Sequence, residues 1–294
     1  MTTSTDRPTP RAVLDEALGS AAPLVVPGVY DGLSARLAAQ LGFRAIYVSG
    51  AGSAAARGMP DMSVISLSEM TDAVRVLGNA AGLPPIVDID TGFGGPTAIR
   101  RCVGEMEAAG AAAVHIEDQP FPKRCGYLTA EECIPIEDML IRLEAARTAC
   151  SLLVIARTDS LLTAGLPEAI ARVRAYRAAG AEMIMVNGIT RLEELEQLSE
   201  EAPGALLYNV SGSDRSPALA RDIAVRCGVK IAIYPIQAAR AAIAGAERVL
   251  RALANGAPIT ADSMMPFQRY MDLAGWADAE TFERDLERKH VKSA

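Results

Sequence analysis

Two aspartates one residue apart, Asp88-Ile89-Asp90, run straight into Thr91-Gly92-Phe93-Gly94-Gly95. They close a short apolar run, Pro85–Ile89, of the kind that forms a strand buried on both faces. Side chains two apart on a strand face the same way. Asp88 and Asp90 are therefore expected to point together, as are His115 and Glu117, and Arg157 and Asp159. Three carboxylates (Asp88, Asp90 and Glu117) converging on one point repel one another strongly if left unpaired. A hard divalent cation resolves this, and oxygen-only donors with few protein contacts suit Mg²⁺, with Mn²⁺ as a substitute. The competing reading is that the acids cap helices or pair with arginine. Only His115 and His290 are available as imidazoles, too few for a zinc centre. His115, one pleat below Glu117, reads as a hydrogen-bonded core residue.

A second cluster is Lys123-Arg124-Cys125-Gly126-Tyr127. Lys123 is the only lysine in the first 229 residues. A cysteine flanked by two cations is expected to have a depressed pKa, because nearby positive charge favours the thiolate. Gly126 would let the backbone approach a ligand closely. Cys102, Cys133, Cys150 and Cys227 lie in or near helical stretches and read as packing residues.

The elements that must position these groups follow from periodicity. Eight short apolar segments recur, mostly 25–30 residues apart: Leu24–Val29, Ala45–Val48, Pro85–Ile89, Ala113–Ile116, Leu152–Ala156, Met183–Val186, Ala205–Tyr208 and Lys230–Tyr234. Between them lie stretches of helical period, such as Ser66–Ala81, Pro96–Ala109, Ile136–Ala149 and Ser216–Cys227, several ending at a Gly stop. Strand alternating with helix eight times predicts an α/β fold, a (β/α)8 TIM-type barrel over about residues 20–255 of a single domain. An open doubly wound sheet is the alternative. A helical extension is expected over about 256–294, with Ala261–Leu273 and Ala279–Lys289 helical. In a barrel, catalytic groups gather where strands end. Those positions also hold Tyr47, Ser49, Gly50, Asn187, Asn209 and Ser211. The long connection from Asp118 to about Pro135 carries the cysteine cluster and has the length of an active-site lid.

Composition narrows the classes. With 29 Lys+Arg against 36 Asp+Glu, the net charge is −7, which argues against a nucleic-acid-binding surface or a polybasic membrane patch. The odd cysteine count of 5, with no CxxC pair, argues against a disulfide framework and fits a reducing cytoplasm. The N-terminus lacks a signal-peptide apolar region, and no apolar run is long enough to span a membrane. No phosphate-binding GxxxxGK[ST] occurs, and neither Lys123 nor Lys230 is placed well for Schiff-base chemistry.

The stretches PGVYDGLSARL, YVSGAG, GMPDMS, DIDTGFGG, VHIEDQ, PKRCG and IARTD are collinear over about residues 24–240. Together they resemble the isocitrate lyase / phosphoenolpyruvate mutase superfamily, most closely its 2-methylisocitrate lyase-like, carboxyphosphonoenolpyruvate phosphonomutase-like branch. The resemblance implies a barrel that often exchanges its last helix between subunits and commonly forms a homotetramer. It implies Mg²⁺ near Asp88 and Asp90, with Asp61 and Glu117 acting largely through water. Ser49, Gly50 and Ala51 match a segment that holds a substrate carboxylate, and Arg157 matches a carboxylate-binding arginine. Cys125 matches the acid that protonates the departing carbanion, and Tyr47 a tyrosine at the metal-bound end of the substrate. Three positions depart from the lyase pattern: Tyr127 replaces a histidine, Asn187 replaces a glutamate, and Asn209-Val210-Ser211-Gly212-Ser213-Asp214 replaces an Asn–Thr–Glu segment. These departures bear on the substrate rather than on the metal end.

The expected reaction is retro-aldol cleavage of a small 2-hydroxy di- or tricarboxylate to a 2-oxo acid and a carboxylate. Tyr47 as phenolate, or a metal-bound hydroxide, would take the hydroxyl proton. Arg157 and the Ser49–Gly50 amides would offset the developing charge, and Cys125 would deliver a proton. Lys123 joins the catalytic set, and Gly126, Tyr127, Asn187, Asn209 and Ser211 the substrate wall. Oxaloacetate decarboxylation, C–P bond chemistry and a non-catalytic barrel are the alternatives.

Overall fold

The structure, a computed structural model, describes residues 8–129, 131–211, 215–217 and 219–291. Eight strands form one parallel sheet: β1 Leu24–Pro27, β2 Ile46–Val48, β3 Pro85–Asp88, β4 Ala113–Glu117, β5 Leu153–Thr158, β6 Met183–Val186, β7 Leu206–Asn209 and β8 Val229–Tyr234. Each strand pairs with its sequence neighbours from β2 to β8, and β8 pairs with β1. The remaining gap is closed by a bridge beyond β1, where Val29 N–H donates to the Tyr47 carbonyl at 3.1 Å. This is the expected (β/α)8 barrel.

The helices are α1 Pro10–Leu18, α2 Gly32–Gln40, α3 Gly50–Ala55, α4 Leu67–Ala81, α5 Pro96–Ala108, α6 Ile136–Arg147, α7 Ser160–Ala164, α8 Leu166–Ala178, α9 Leu192–Glu201, α10 Arg221–Arg226, α11 Gln237–Ala254, α12 Phe267–Leu273 and α13 Trp276–Val291. Local sequence sets their limits. Ser66 and Glu69 form a capping box at the start of α4, and Gly82 ends it at φ +64°. The helical stretch expected over Ser216–Cys227 is shorter, beginning at Arg221; Ala218 lies outside the described residues. In the tail, Ala261–Ser263 is a single 3-10 turn and Pro266 restarts the chain as α12. Contacts divide the chain into two compact units, residues 1–239 and 240–294, so the boundary falls inside the first turn of α11. In the second unit, α12 packs on α13. No described helix is long and apolar enough to cross a membrane.

The first unit has two apolar cores. One lies between sheet and helices and includes Val87, Val114, Val154 and Ile184. The other fills the barrel with Val26, Tyr47, Ile86, Ala113, Ile155, Met185, Leu207 and Ile233. Helix α1, absent from the sequence reading, contributes fully buried Leu14 to that inner core.

This inner set positions the site. A side chain two residues beyond an inward-facing one faces inward again. Ile86 therefore leads to Asp88, Ala113 to His115 and Glu117, Ile155 to Arg157, Met185 to Asn187, and Leu207 to Asn209. The packing that fills the lower barrel thus brings six polar side chains to its C-terminal mouth.

Barrel closure leaves no space at Gly28, where an added Cβ would lie 1.9 Å from the Pro235 carbonyl oxygen. Gly28→Ala is expected to lower stability by at least the roughly 1–3 kcal/mol typical of overpacking. Thermal unfolding followed by circular dichroism checks this, and an unchanged midpoint would contradict so tight a closure.

Candidate active site

The acidic half of the mouth is built on β3, β4 and the turn after β3. Asp88 Oδ2 accepts the Gly50 N–H at 3.3 Å, and Asp88 Oδ1 accepts the Asp90 N–H at 3.1 Å. Pleating explains Asp88 but not Asp90. The strand ends at Asp88, and Asp90 adopts φ +49°, so a tight turn rather than alternation brings its carboxylate back. Carboxylate oxygens of Asp88, Asp90 and Glu117 nevertheless lie within 4.8 Å of one another.

Two cations answer them. Arg157 stands opposite Glu117 in the β4–β5 register, with its Nη1 at 2.8 Å from Glu117 Oε2 and 3.8 Å from Asp88. Its Nε and Nη2 donate to Asp159 at 2.8 and 3.0 Å. Lys123 Nζ lies 2.5 Å from Asp61 and 2.9 Å from Asp90. Asp61 therefore stands outside the group of three and holds the lysine instead.

The resulting electrostatics are unequal. Burial opposes ionisation of Asp88, but His115, Arg157 and Lys123 overcome it and hold the carboxyl low. Burial, reinforced by Asp88, pushes Asp90 up to about 7 against the pull of Lys123. Burial raises Glu117 despite Arg157. Burial alone would lower Lys123, yet Asp90, Glu117, Asp88 and Asp61 keep it charged.

These residues fit a hard divalent cation. The donors are all oxygens, they converge, and Glu117 Oε1 is buried without a hydrogen-bond partner. Mg²⁺ or Mn²⁺ satisfies such a set; a softer metal would want nitrogen or sulfur.

Beside the acids, Tyr47 O–H and His115 Nε2 are 2.6 Å apart, with the rings stacked. Burial, with Asp88 adding to it, raises the Tyr47 phenol well above its ordinary range, and burial lowers His115 to about 4. Burial thus works against the expected Tyr47 phenolate. His115 is the core residue its position suggested.

A cavity of about 270 Å³ opens between this half and a neutral wall. Tyr47, Ser49, Ala51, Asp61, Asp88, Lys123, Cys125, Gly126, Tyr127, Arg157, Asn187, Asn209 and Ser211 all line it. Gly50, Asp90 and Glu117 do not. The Tyr127 hydroxyl donates to Asn187 Oδ1 at 2.6 Å, Asn209 Nδ2 donates to the same oxygen at 3.1 Å, and Asn187 Nδ2 donates to Asp159 at 2.7 Å. Half-buried Cys125 sits in the wall between the two halves.

The cations flanking Cys125 are engaged elsewhere: Lys123 with the acids and Arg124 with Glu131 at 3.2 Å. At Gly126, which lines the cavity, an added Cβ would lie 2.9 Å from Asp159 Oδ1.

Residues 14–254 match the phosphoenolpyruvate phosphomutase family. The chain belongs to that family. A 2-methylisocitrate lyase of Bacillus subtilis is 41% identical over 227 residues, 77% of this chain and 75% of that protein. Oxaloacetate acetylhydrolase in complex with the inhibitor 3,3-difluorooxalacetate superposes with a TM-score of 0.87 at 33% identity, covering 95% of this chain and 97% of that one. Phosphonopyruvate hydrolase in complex with oxalate and Mg²⁺ gives 0.84 at 30% identity, covering 94% and 99%.

Residues missed at the sequence level complete the site. Asp159 was visible as a strand-end acid, but its bidentate grip on Arg157 needs the turn after β5. Leu128, Met185, Pro235 and Ile236 also line the cavity. Met185 shares the parity of Asn187 and could have been found that way; the Pro235-Ile236 pair carries no polar signal. Gly212–Asp214 lie outside the described residues.

Asp90 supplies a pH prediction. Its folded pKa of about 7 exceeds the ordinary 3.8, so the folded chain binds more protons over that interval. Its contribution to stability is complete below the lower value and is lost as pH rises through the higher one. In chelator-treated protein, the unfolding midpoint of the parent minus that of Asp90→Asn should therefore fall between pH 5 and 8. A flat difference would place Asp90 in an ordinary environment.

Proposed function

We propose that the chain is a Mg²⁺-dependent carbon–carbon lyase that cleaves a 2-hydroxy di- or tricarboxylate by retro-aldol chemistry. The coarse class, a lyase acting on C–C bonds, follows the activity named for the Bacillus relative. The observation that carries the finer reading is a single cavity lined both by Asp88, one of three convergent carboxylates, and by Cys125.

A divalent cation held by Asp88, Asp90 and Glu117 would supply Lewis acidity toward a 2-hydroxy acid or 2-oxo acid fragment. The oxalate and Mg²⁺ of the phosphonopyruvate hydrolase complex support such a fragment there. The chain's own residues do the rest. Arg157, held rigid by Asp159, offsets carboxylate charge as the bond breaks. The protonated Tyr47 hydroxyl orients the metal-side end, with His115 behind it. Ser49 and Ala51 bound the pocket at the start of α3, while the Gly50 amide is already committed to Asp88. As the C–C bond breaks, a base on the acid side of the cavity, where Asp88 is held ionised, takes the 2-hydroxyl proton, and Cys125 gives a proton to the carbanion left on the departing carboxylate. Tyr127, Asn187, Asn209 and Ser211 receive the remainder of the substrate.

The likeness to oxaloacetate acetylhydrolase supports a second reading, in which the same end grips oxaloacetate. Assays of released 2-oxo acid from 2-methylisocitrate, alkylated malates, oxaloacetate and phosphonopyruvate separate the two.

A homo-oligomer, in the form of a helix-exchanged tetramer, belongs to the same proposal. None of the residues of the strongly amphipathic α11 is buried, and the first unit carries a groove of about 390 Å³ that includes Val25 of β1 with Ala232 and Tyr234 of β8. Five free cysteines suit a reducing cytoplasm.

Loss of the proton donor tests the mechanism. Cys125→Ser is expected to lower kcat by about 10²–10⁴-fold, the usual contribution of general acid catalysis, with KM little changed. Turnover near the parent's on the best substrate would remove Cys125 from that role.

A further inference from the structure

Three non-glycine residues among those described adopt left-handed backbone conformations: Ser63 at φ +55°, Asp90 at +49° and Phe93 at +61°. The last two belong to the turn that folds Asp90 back toward Asp88. Ser63 lies elsewhere, in the segment between α3 and α4, and nothing in the reaction explains its conformation. A non-glycine side chain at such a φ is strained and persists where its surroundings hold it.

What holds it is the cysteine loop. Ser63 Oγ accepts the Lys123 N–H at 2.9 Å and donates to the Lys123 carbonyl at 3.3 Å. One hydroxyl thus satisfies both main-chain groups of a residue sixty positions away. A hydroxyl can do this because it carries one donor and two acceptor lone pairs on a single short arm. Two residues earlier, Asp61 takes the Lys123 ammonium at 2.5 Å. Residues 61–63 therefore grip Lys123 at its amide, its carbonyl and its side chain.

Cys125 is two residues further along. On its other side the Tyr127 hydroxyl is fixed to Asn187 on the neutral wall. The loop turns on itself just past Tyr127, with the Leu128 and Thr129 amides both donating back to the Cys125 carbonyl. The thiol is thus suspended between one anchor at Ser63 and another at Tyr127.

We infer that Ser63 is a positioning residue: its hydroxyl pins the main chain of Lys123 and thereby sets where the Cys125 thiol stands in the cavity. The catalytic consequence rests on the lyase reading; the geometric one does not.

Two variants separate the hydroxyl from the backbone strain. Ser63→Ala removes the hydroxyl and keeps a Cβ at the left-handed position. Ser63→Gly removes the hydroxyl and relieves the strain, so its unfolding midpoint should equal or exceed the parent's. In both, alkylation of Cys125 by iodoacetamide, located by peptide mass mapping without substrate, should be roughly five- to tenfold faster, the factor a lost neutral hydrogen bond supplies. kcat should fall by a comparable factor while KM moves less. Alkylation of Ser63→Gly at the parent rate overturns the inference whatever the assays give. Faster alkylation with an unchanged kcat overturns it too, because the thiol's position would not then matter to turnover. A parent that turns over no 2-hydroxy acid counts against the lyase reading and leaves the alkylation result to judge Ser63.

Discussion

An imbalance of buried charge governs the mouth of this barrel. Asp61, Asp88, Asp90, Glu117 and Asp159 share Arg157 and Lys123, so five carboxylates meet two cations. Removing one partner from a buried ionic cluster leaves the others uncompensated, which costs far more than an exposed pair would. Part of the strain is visible in single groups. Asp88 stays ionised because positive charge surrounds it, whereas Asp90 and Glu117 are driven toward their neutral forms. A doubly charged cation would replace those protons and leave all the acids ionised, which is the proposed reason that the chain tolerates the cluster.

The charged half also organises the neutral half. Asp159 is an acceptor only, so the Asn187 amide must turn its NH₂ toward it. The Asn187 carbonyl then faces Tyr127 and Asn209, both of which donate to it. Arg157, Asp159, Asn187 and Tyr127 form one hydrogen-bonded chain from the acids to the far wall. A glutamate at position 187 would set a second carboxylate against Asp159, and a histidine at position 127 would change the donor Asn187 receives. Tyr127 and Asn187 are therefore physically coupled: each suits the other.

Much of this architecture was legible in the sequence, and its limits have physical causes. Short apolar runs with helical stretches between them specified the strands, because a strand buried on both faces leaves no other pattern. Parity along those strands located Asp88, Glu117 and Arg157, and strand ends marked Asn187 and Asn209. Parity failed at Asp90, where the chain has left the strand and a left-handed turn decides direction. At Cys125 the reading rested on adjacency in sequence, which does not show that Lys123 and Arg124 reach carboxylates. Burial was the other hidden variable. Tyr47 reads as a base by its position, but its enclosure beside Asp88 keeps the phenol protonated. Helix α1 escaped notice because its nine residues carry a short pattern whose meaning appears only when Leu14 enters the inner core.

Isothermal titration calorimetry of chelator-treated protein with MgCl₂, in the presence and absence of oxalate, tests the charge argument most directly. The account predicts one cation taken up per chain, with proton release that grows as pH falls toward neutrality and tighter binding when oxalate is present. No heat from Mg²⁺ or Mn²⁺ under either condition would mean that the five carboxylates are reconciled by protons and the two cations alone. The site would then not be a metal centre.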